Sequence, residues 1–600
     1  MPYDEIHIGN HAFAKGEQKV YLKDAARGQH CHVIGSTGTG KSKLLEHMIR
    51  QDIRNGKGIC LIDPHGTLYD ATLKWVVANG YEHRLVVIDP AQTEWAVGLN
   101  FFEYNPAVID LGQHVEDVMT GIGKARNEDI FATSHVVIWL RNFLQLAAHH
   151  NLSPLEVCEL LDHKARRKEL TEAITDDAVL RLQLEQAWRQ FDTAPPNTRR
   201  EMMQLPVYNR MQTFLGTRTM RRIVGHSKTT VDFHEAMEKN KIVLVNLHGQ
   251  LTENEQRLLG IIVIDKLFQA AMRRPPDRGD PFYVYIDEFG NFVSERIAHA
   301  LEELRKRRVS FILAHQELEQ LRDDQIIGGR RLLAAVMSNT KVKIAFRSSR
   351  EDAEAMAIEM FAGFITGDEV KREIWMKCFR PVKTRETVYG HSSSVSESDI
   401  ETIAEAIGNV TSNISSQVYV PEVGFMGTDQ LSATTIGTGS SSSESQGSSR
   451  GKSKSYSDTD IQMDIPFYDM QEFEQLASVQ YRTIEEVKER YIQFLQNQAE
   501  RFFHLRVTGE TTKPPIALQT PQVDSTNLLP SALRAALEKA VSRTAVRSVD
   551  IDQLYEDRMQ ALLNPAKPQD NDDNFKYNAD DVKPISKAPV KVQKGSKRSS

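Results

Sequence analysis

The sequence of 600 residues predicts an α/β protein built on a mostly parallel sheet. Three observations carry that expectation. Short, near-continuous apolar runs at 31–34, 59–62, 85–88, 242–247, 282–286, 310–313 and 342–346 read as strands covered on both faces. Most are followed by stretches whose apolar residues recur at helical spacing, so strand and helix alternate. The alternation is broken twice, by a stretch with helical patterns only at 106–205 and by a serine-rich stretch at 391–460, as insertions into one α/β unit would break it.

Composition narrows the class. Hydrophobic residues at 40% and charged residues at 26% fit a soluble globular chain of two to four units. A net charge of -7 excludes a protein that coats nucleic acid, so any such binding is confined to a local lining of cations. The four cysteines, Cys31, Cys60, Cys158 and Cys378, have no C-x-x-C spacing, which argues against a disulfide framework and a zinc site. There is no run of 18 apolar residues and no signal-peptide pattern at the start, so the expectation is a cytoplasmic protein with no integral membrane insertion.

Taken in order, residues 1–30 are polar, broken by glycines and suited to a short hairpin. The run 31–34 leads into a helix with Leu44, Leu45, Met48, Ile49 and Ile53 on one face, stopped by Asn55-Gly56. Strand 59–62 runs into Asp63-Pro64-His65-Gly66. In open α/β sheets ligands sit at the carboxyl ends of strands, which brings Asp63 and His65 into consideration, although an Asp-Pro pair also simply opens a turn. Arg218, Arg221, Arg222 and Lys228 form a basic cluster, read either as solvated surface or as a phosphate-backbone contact. The rhythm then resumes with strand 242–247, a long helix at 253–274, strand 282–286, helix 296–306, strand 310–313, a helix near 330–338 and strand 342–346. Past 460 come a helix at 483–502 and an apolar run at 502–507 that can rejoin the sheet; a further candidate helix spans 530–547. The end of the chain, with Lys583, Lys587, Lys591, Lys594, Lys597 and Arg598, reads as a basic tail.

The chemistry centres on Gly35-Ser36-Thr37-Gly38-Thr39-Gly40-Lys41-Ser42, a G-x-x-x-x-G-K-[ST] loop between a strand and a helix. Backbone N–H groups of such a loop and the open helix N-terminus cradle phosphates. Lys41 would reach the β- and γ-phosphates of ATP and the Ser42 hydroxyl would ligate Mg²⁺. The bland alternative is a Gly-rich turn with a solvated lysine; a dinucleotide fingerprint has its glycines in a different order. Strand 282–286 ends in Asp287-Glu288, which fits a carboxylate holding Mg²⁺ followed by one that orients and deprotonates water. Strand 310–313 leads to Gln316, a candidate sensor of the γ-phosphate or a loop amide. Arg305-Lys306-Arg307-Arg308 either complements a helix dipole or supplies an arginine finger to a neighbouring subunit, with Arg305 or Arg347 as the finger.

Together with Ile62-Asp63-Pro64-His65-Gly66, Tyr285-Ile286-Asp287-Glu288-Phe289 and the spacing of Arg305 to Gln316, these motifs resemble the HerA/FtsK superfamily of ring ATPases. Within it the chain looks most like the TraG/TraD-type coupling proteins of conjugation and type IV secretion, over roughly residues 28–365 with an echo at 460–520. The resemblance implies a RecA-like P-loop ATPase sheet with an inserted all-α domain. It also implies a homo-hexamer that passes DNA through its channel, with a relaxase, nuclease or secretion-system protein as further partner and any membrane association made through partners. Lys41 and Ser42 match its nucleotide positions, Asp287 its magnesium position, Glu288 its catalytic carboxylate, Gln316 its sensor and Arg305 its finger. Two features depart from it: anchored coupling proteins begin with transmembrane helices, and the serine-rich insertion has no counterpart.

The expected organisation is an N-terminal segment at 1–30, an ATPase domain at 31–105 and 206–390, a helical insertion at 106–205 and a flexible serine-rich insertion at 391–460. A C-terminal part of the core follows at 461–520, and a mostly disordered tail at 521–600. The low-complexity C-terminal region is thus expected to be partly disordered.

Overall fold

The computed structural model describes residues 4–13, 16–292, 295–321, 329–398, 453–509 and 513–563. The strands among the described residues are β1 (Glu5–His11), β2 (Lys19–Lys23), β3 (Cys31–Ile34), β4 (Gly58–Asp63), β5 (Leu85–Ile88), β6 (Trp95–Ala96), β7 (Ile242–Asn246), β8 (Phe282–Ile286), β9 (Val309–His315), β10 (Val342–Phe346), β11 (Val370–Ser398), β12 (Ser453–Tyr481), β13 (Phe502–Val507), β14 (Ile516–Gln519) and β15 (Val546–Arg547). Eleven of them form one sheet in the order β2-β1-β14-β13-β10-β3-β9-β8-β4-β7-β5. From β10 to β5 every neighbouring pair is parallel, and from β10 outward through β13, β14, β1 and β2 every pair is antiparallel. The N-terminal hairpin and the returning C-terminal strands thus extend the parallel sheet at one edge.

The central strands are buried on both faces because each splits its side chains between two cores with a period of two. Cys60, Ile62, Phe282, Val284 and Ile286 face one core; Ile59, Leu61, Tyr283 and Tyr285 face the other. The first core continues without a break into the helices from Leu111–Arg126 to Leu205–Leu215, through Phe143, Trp188, Phe191 and Phe214. Three of those helices start where a side-chain cap satisfies orphan N–H groups of the first turn. Asp110 caps Leu111–Arg126, and a Ser153–Glu156 capping box opens Pro154–Leu160. Among the described residues no helix is long and apolar enough to cross a membrane.

Behind the sheet lies a buried ionic network. Arg27 and Asp52, both 0% exposed, form a two-pronged pair at 2.9 and 2.7 Å, and the Arg27 guanidinium lies 4.0 Å from the Tyr283 ring centre. Tyr285 donates to the same carboxylate.

The chain separates into two units, Met1–Thr366 with Ile484–Ser600, and Gly367–Thr483. The second differs from the expected division. Residues 370–390 and 461–481 belong to a two-stranded antiparallel ribbon, β11 with β12, whose ladder also includes 391–398 and 453–460. The α/β unit is therefore shorter on both sides of the serine-rich stretch than expected, and the remainder of that stretch lies outside the described residues. Paired residues lie 55 positions apart at Ser398 and Ser453 and 111 apart at Val370 and Tyr481, so no local window carries their alternation.

The tail is also ordered further than its composition suggests. Ser548–Leu563 is a helix, β15 pairs with β6, and Asp552 bonds Arg218 and Arg222, each at 2.6 Å. Arg558 bonds Glu156 at 2.6 Å, and a Cβ on Gly225 would overlap the Tyr555 ring. Two cations of the basic cluster are thus paired within the chain, and Arg221 donates to the Leu215 carbonyl at 2.7 Å. Residues 564–600, with the basic tail, lie outside the described residues.

Candidate nucleotide site

β3 delivers the loop and the helix Lys41–Arg54 receives it. No side chain caps that helix and no carboxylate lies in its first turn, so its leading N–H groups are open to an anion. Gly40 has φ of 112°, and a Cβ there would sit 3.2 Å from Arg501 Cα, so both conformation and space require glycine. Arg501, itself at φ of 69°, donates its N–H to the Thr39 carbonyl at 2.8 Å. Its guanidinium is held by the Thr520 carbonyl at 2.8 Å. This C-terminal brace on the loop was missed in the sequence; it comes from 460 positions away and follows no motif.

The Lys41 ammonium turns back on the loop and donates to the carbonyls of Gly35 and Ser36, the latter at 3.3 Å. Burial lowers its pKa, against the pull of Glu288 and Asp287. Ser42 is half-buried in the first turn of the helix. Across the sheet, Asp287 follows β8 and is 5% exposed; its N–H donates to the Ile62 carbonyl at 3.1 Å. Burial raises its carboxyl to about 6, reinforced by Asp63 and Glu288 and opposed by Lys41 and His65. Asp63 accepts from the N–H groups of His65 at 2.9 Å and Tyr69 at 2.8 Å. It therefore shapes its turn and also adds charge beside Asp287.

Glu288 is in the left-handed region at φ of 51°, a strained conformation for a side-chain-bearing residue. Its carboxylate accepts from Gln316 Nε2 at 2.7 Å, while Gln316 Oε1 accepts from the Thr37 hydroxyl at 2.7 Å. The loop, the end of β9 and the carboxylate are thereby joined in one line. Beneath it His32 and His315 meet, Nε2 to Nε2, at 2.5 Å on adjacent strands. His315 Nδ1 faces the Glu317 carbonyl at 2.9 Å and so carries the hydrogen, which leaves His315 Nε2 to accept from His32. Burial pushes both histidines down in pKa.

Gly35, Ser36, Thr37, Gly38, Thr39, Gly40, Lys41 and Ser42 thus form one loop facing Asp287, Glu288 and Gln316. Arg305 is not with them. It lies 3.4 Å from Gln29 Oε1, before the start of β3, on a cleft of about 1150 Å³ that also includes Lys23, Lys57 and Arg308. Arg347 is exposed, and its carbonyl accepts from the Ser36 N–H at 2.8 Å.

These features fit a magnesium nucleotide. An uncapped helix start and a lysine resting on carbonyls await an anion, and the gathered carboxylates of Asp63, Asp287 and Glu288 leave negative charge that a cation relieves. Among the described residues no group of three or more His, Cys, Asp or Glu could hold a metal ion alone.

Residues 6–264 match the family model for the central domain of helicase HerA. Residues 281–361 match the model for the TraM recognition site of TraD and TraG. The two matches follow one another along the chain. The first matched stretch contains the loop and Asp63; the second contains Asp287, Glu288, Arg305 and Gln316. The type 4 coupling protein DotL of Legionella pneumophila is 21% identical over 386 residues, 55% of this chain and 48% of DotL. The chain thus spans about half the length of that curated relative. Among solved structures, plasmid coupling protein TrwB with a non-hydrolysable ATP analogue aligns at 13% identity and a TM-score of 0.45, covering 88% of this chain and 98% of TrwB. VirB4 of Thermoanaerobacter pseudethanolicus aligns at 15% identity and a TM-score of 0.37, covering 60% and 88% of the two chains.

Proposed function

We propose that this chain is an ATP-hydrolysing, DNA-dependent motor of the coupling-protein kind, working as a homo-hexameric ring. The observation that carries this reading is the line Thr37–Gln316–Glu288, which ties the phosphate loop to the carboxylate beside Asp287. On nucleotide binding, Lys41 exchanges the Gly35 and Ser36 carbonyls for the β- and γ-phosphates. Ser42 and Asp287 would hold Mg²⁺, whose charge neutralises the phosphate oxygens. Glu288 accepts the proton of the attacking water, and Gln316 orients that water or reports the γ-phosphate through the bond it already makes to Glu288. Arg305 is remote from its own loop, which supports delivery to the loop of a neighbouring copy. With a net charge of -7, DNA contact is confined to a cationic lining inside a ring. A cytoplasmic location, with docking to a secretion complex through partners, fits the same reading.

A second reading is favoured by the match of 281–361 to a TraM recognition site: the chain mainly recruits a protein such as a relaxase or another secretion component. The two separate in a purified sample. The motor reading requires ATP turnover that rises with DNA; the recruiting reading requires a defined protein partner whose capture persists in a Lys41→Ala chain.

A further inference from the structure

The ribbon of β11 and β12 buries none of its described side chains. Each strand is 29 residues long, about 95 Å at ~3.3 Å per residue, several times the usual strand. Where side chains are described, 370–383 and 469–481, none is buried. Trp375 is 53% exposed, Met376 56%, Phe379 55%, Met470 47% and Leu476 42%. Isolated two-stranded ribbons are marginal in water, and one displaying this much apolar surface calls for a cover.

The edges indicate what the cover is. In an antiparallel pair every second residue turns its N–H and C=O away from the partner strand, so both outer edges of a ribbon can pair. No third strand joins this sheet among the described residues. The two edges also differ in charge. Over 370–383, β11 carries Lys371, Arg372, Lys377, Arg380 and Lys383 against one carboxylate, Glu373; over 469–481, β12 carries Asp469, Glu472 and Glu474 and no cation. The Lys377–Glu472 pair at 2.5 Å uses part of this charge within the ribbon, but its side chains remain 69% and 47% exposed.

We infer that the ribbon is an interface between copies of this chain, the basic β11 edge of one copy pairing antiparallel with the acidic β12 edge of the next. Such a contact uses two different surfaces head to tail, the type that closes into a ring. Repeated around a ring, it makes an up-and-down barrel with two strands per copy and no free edge. The inference rests on the ring proposed above and adds a device that sets the order of neighbours.

The test uses full-length chains with reversed edges. One carries Lys377→Glu, Arg380→Glu and Lys383→Glu; the other carries Asp469→Lys, Glu472→Lys and Glu474→Lys. Particle mass is measured by analytical ultracentrifugation with nucleotide and DNA, and nucleotide affinity verifies the core. The unaltered chain should form rings, and each reversed chain alone should need ~tenfold or more concentration to assemble, because like charges then face each other. An equal mixture should assemble near the unaltered concentration, since acidic edges then alternate with basic ones. Each chain in the mixture keeps its own internal clash, so rescue reports contact between copies. Rings from either reversed chain alone at the original concentration, or no rescue on mixing, overturn the ribbon interface while leaving the ring intact. An unaltered chain that stays monomeric overturns the ring, and the ribbon interface with it.

Discussion

Gln316 donates from Nε2 to Glu288 Oε1 at 2.7 Å, and its own Oε1 accepts from Thr37 on the phosphate loop. The amide therefore lies between the loop proposed to bind phosphate and the carboxylate proposed to accept a proton from water. Gln316→Ala removes both bonds and leaves the cradle intact. Hydrolysis should fall ~10²-fold or more while nucleotide affinity changes little, as for loss of a positioned proton-transfer partner. Steady-state kinetics beside equilibrium titration separates the two effects; equal losses in both would assign Gln316 to binding.

Lys41 and Glu288 should divide in the opposite way. Lys41→Ala takes away the only loop side chain that supplies a cation to the phosphates and should abolish tight nucleotide binding. Glu288→Gln keeps shape and hydrogen bonding but not the base, so binding persists and turnover is lost. A fluorescent nucleotide reports the first and phosphate release the second.

Arg305 sits beside Gln29 rather than beside its own loop. Arg305→Ala and Glu288→Gln chains, each inactive alone, should partly restore activity in mixed rings, because some interfaces then combine an intact finger with an intact base. Mixed rings verified by mass but without rescue would count against action between subunits.

Asp52 anchors Arg27 inside the core, and both are 0% exposed. Asp52→Ala would leave a buried guanidinium unpaired and should destabilise the fold by ~3–5 kcal/mol. Denaturant unfolding checks this, and a loss below ~1 kcal/mol would show that Arg27 finds another partner.

The parallel sheet was legible because its strands are buried on both faces and carry local signatures, and the loop, Asp287-Glu288 and Gln316 were legible because each follows such a strand. What was not legible depends on residues far apart in the chain. The Arg501 brace, the His32–His315 contact and the docking of Asp552 on Arg218 and Arg222 link positions hundreds of residues apart. The basic cluster looked solvated because its carboxylate partner lies 330 positions beyond Arg222. The ribbon was hidden for the same reason: serine content describes one stretch, whereas pairing joins two.

His30 supplies a pH dependence. Its Nδ1 accepts from the Phe311 N–H at 2.9 Å and its Nε2 faces the Leu301 carbonyl at 2.7 Å, so the ring is neutral and both nitrogens are used. Burial is the main reason its pKa lies at about 4, below the usual histidine value of 6.5. Its contribution is complete above pH ~6.5 and is lost as pH falls toward ~4, because the unfolded chain takes up the proton first. The loss is on the order of 3 kcal/mol, and His30→Gln should flatten the fall in unfolding free energy over that range. An unchanged slope would mean that other groups set the acid sensitivity.

A nucleotide site completed between copies and driven by DNA ties ATP turnover to both ring formation and DNA. The most direct test is ATP turnover by the purified full chain with single-stranded DNA, duplex DNA and no DNA, with particle mass measured on the same samples. Turnover should rise with DNA and appear only in samples containing rings. Turnover that is equal with and without DNA, in particles that remain monomeric, would contradict that dependence.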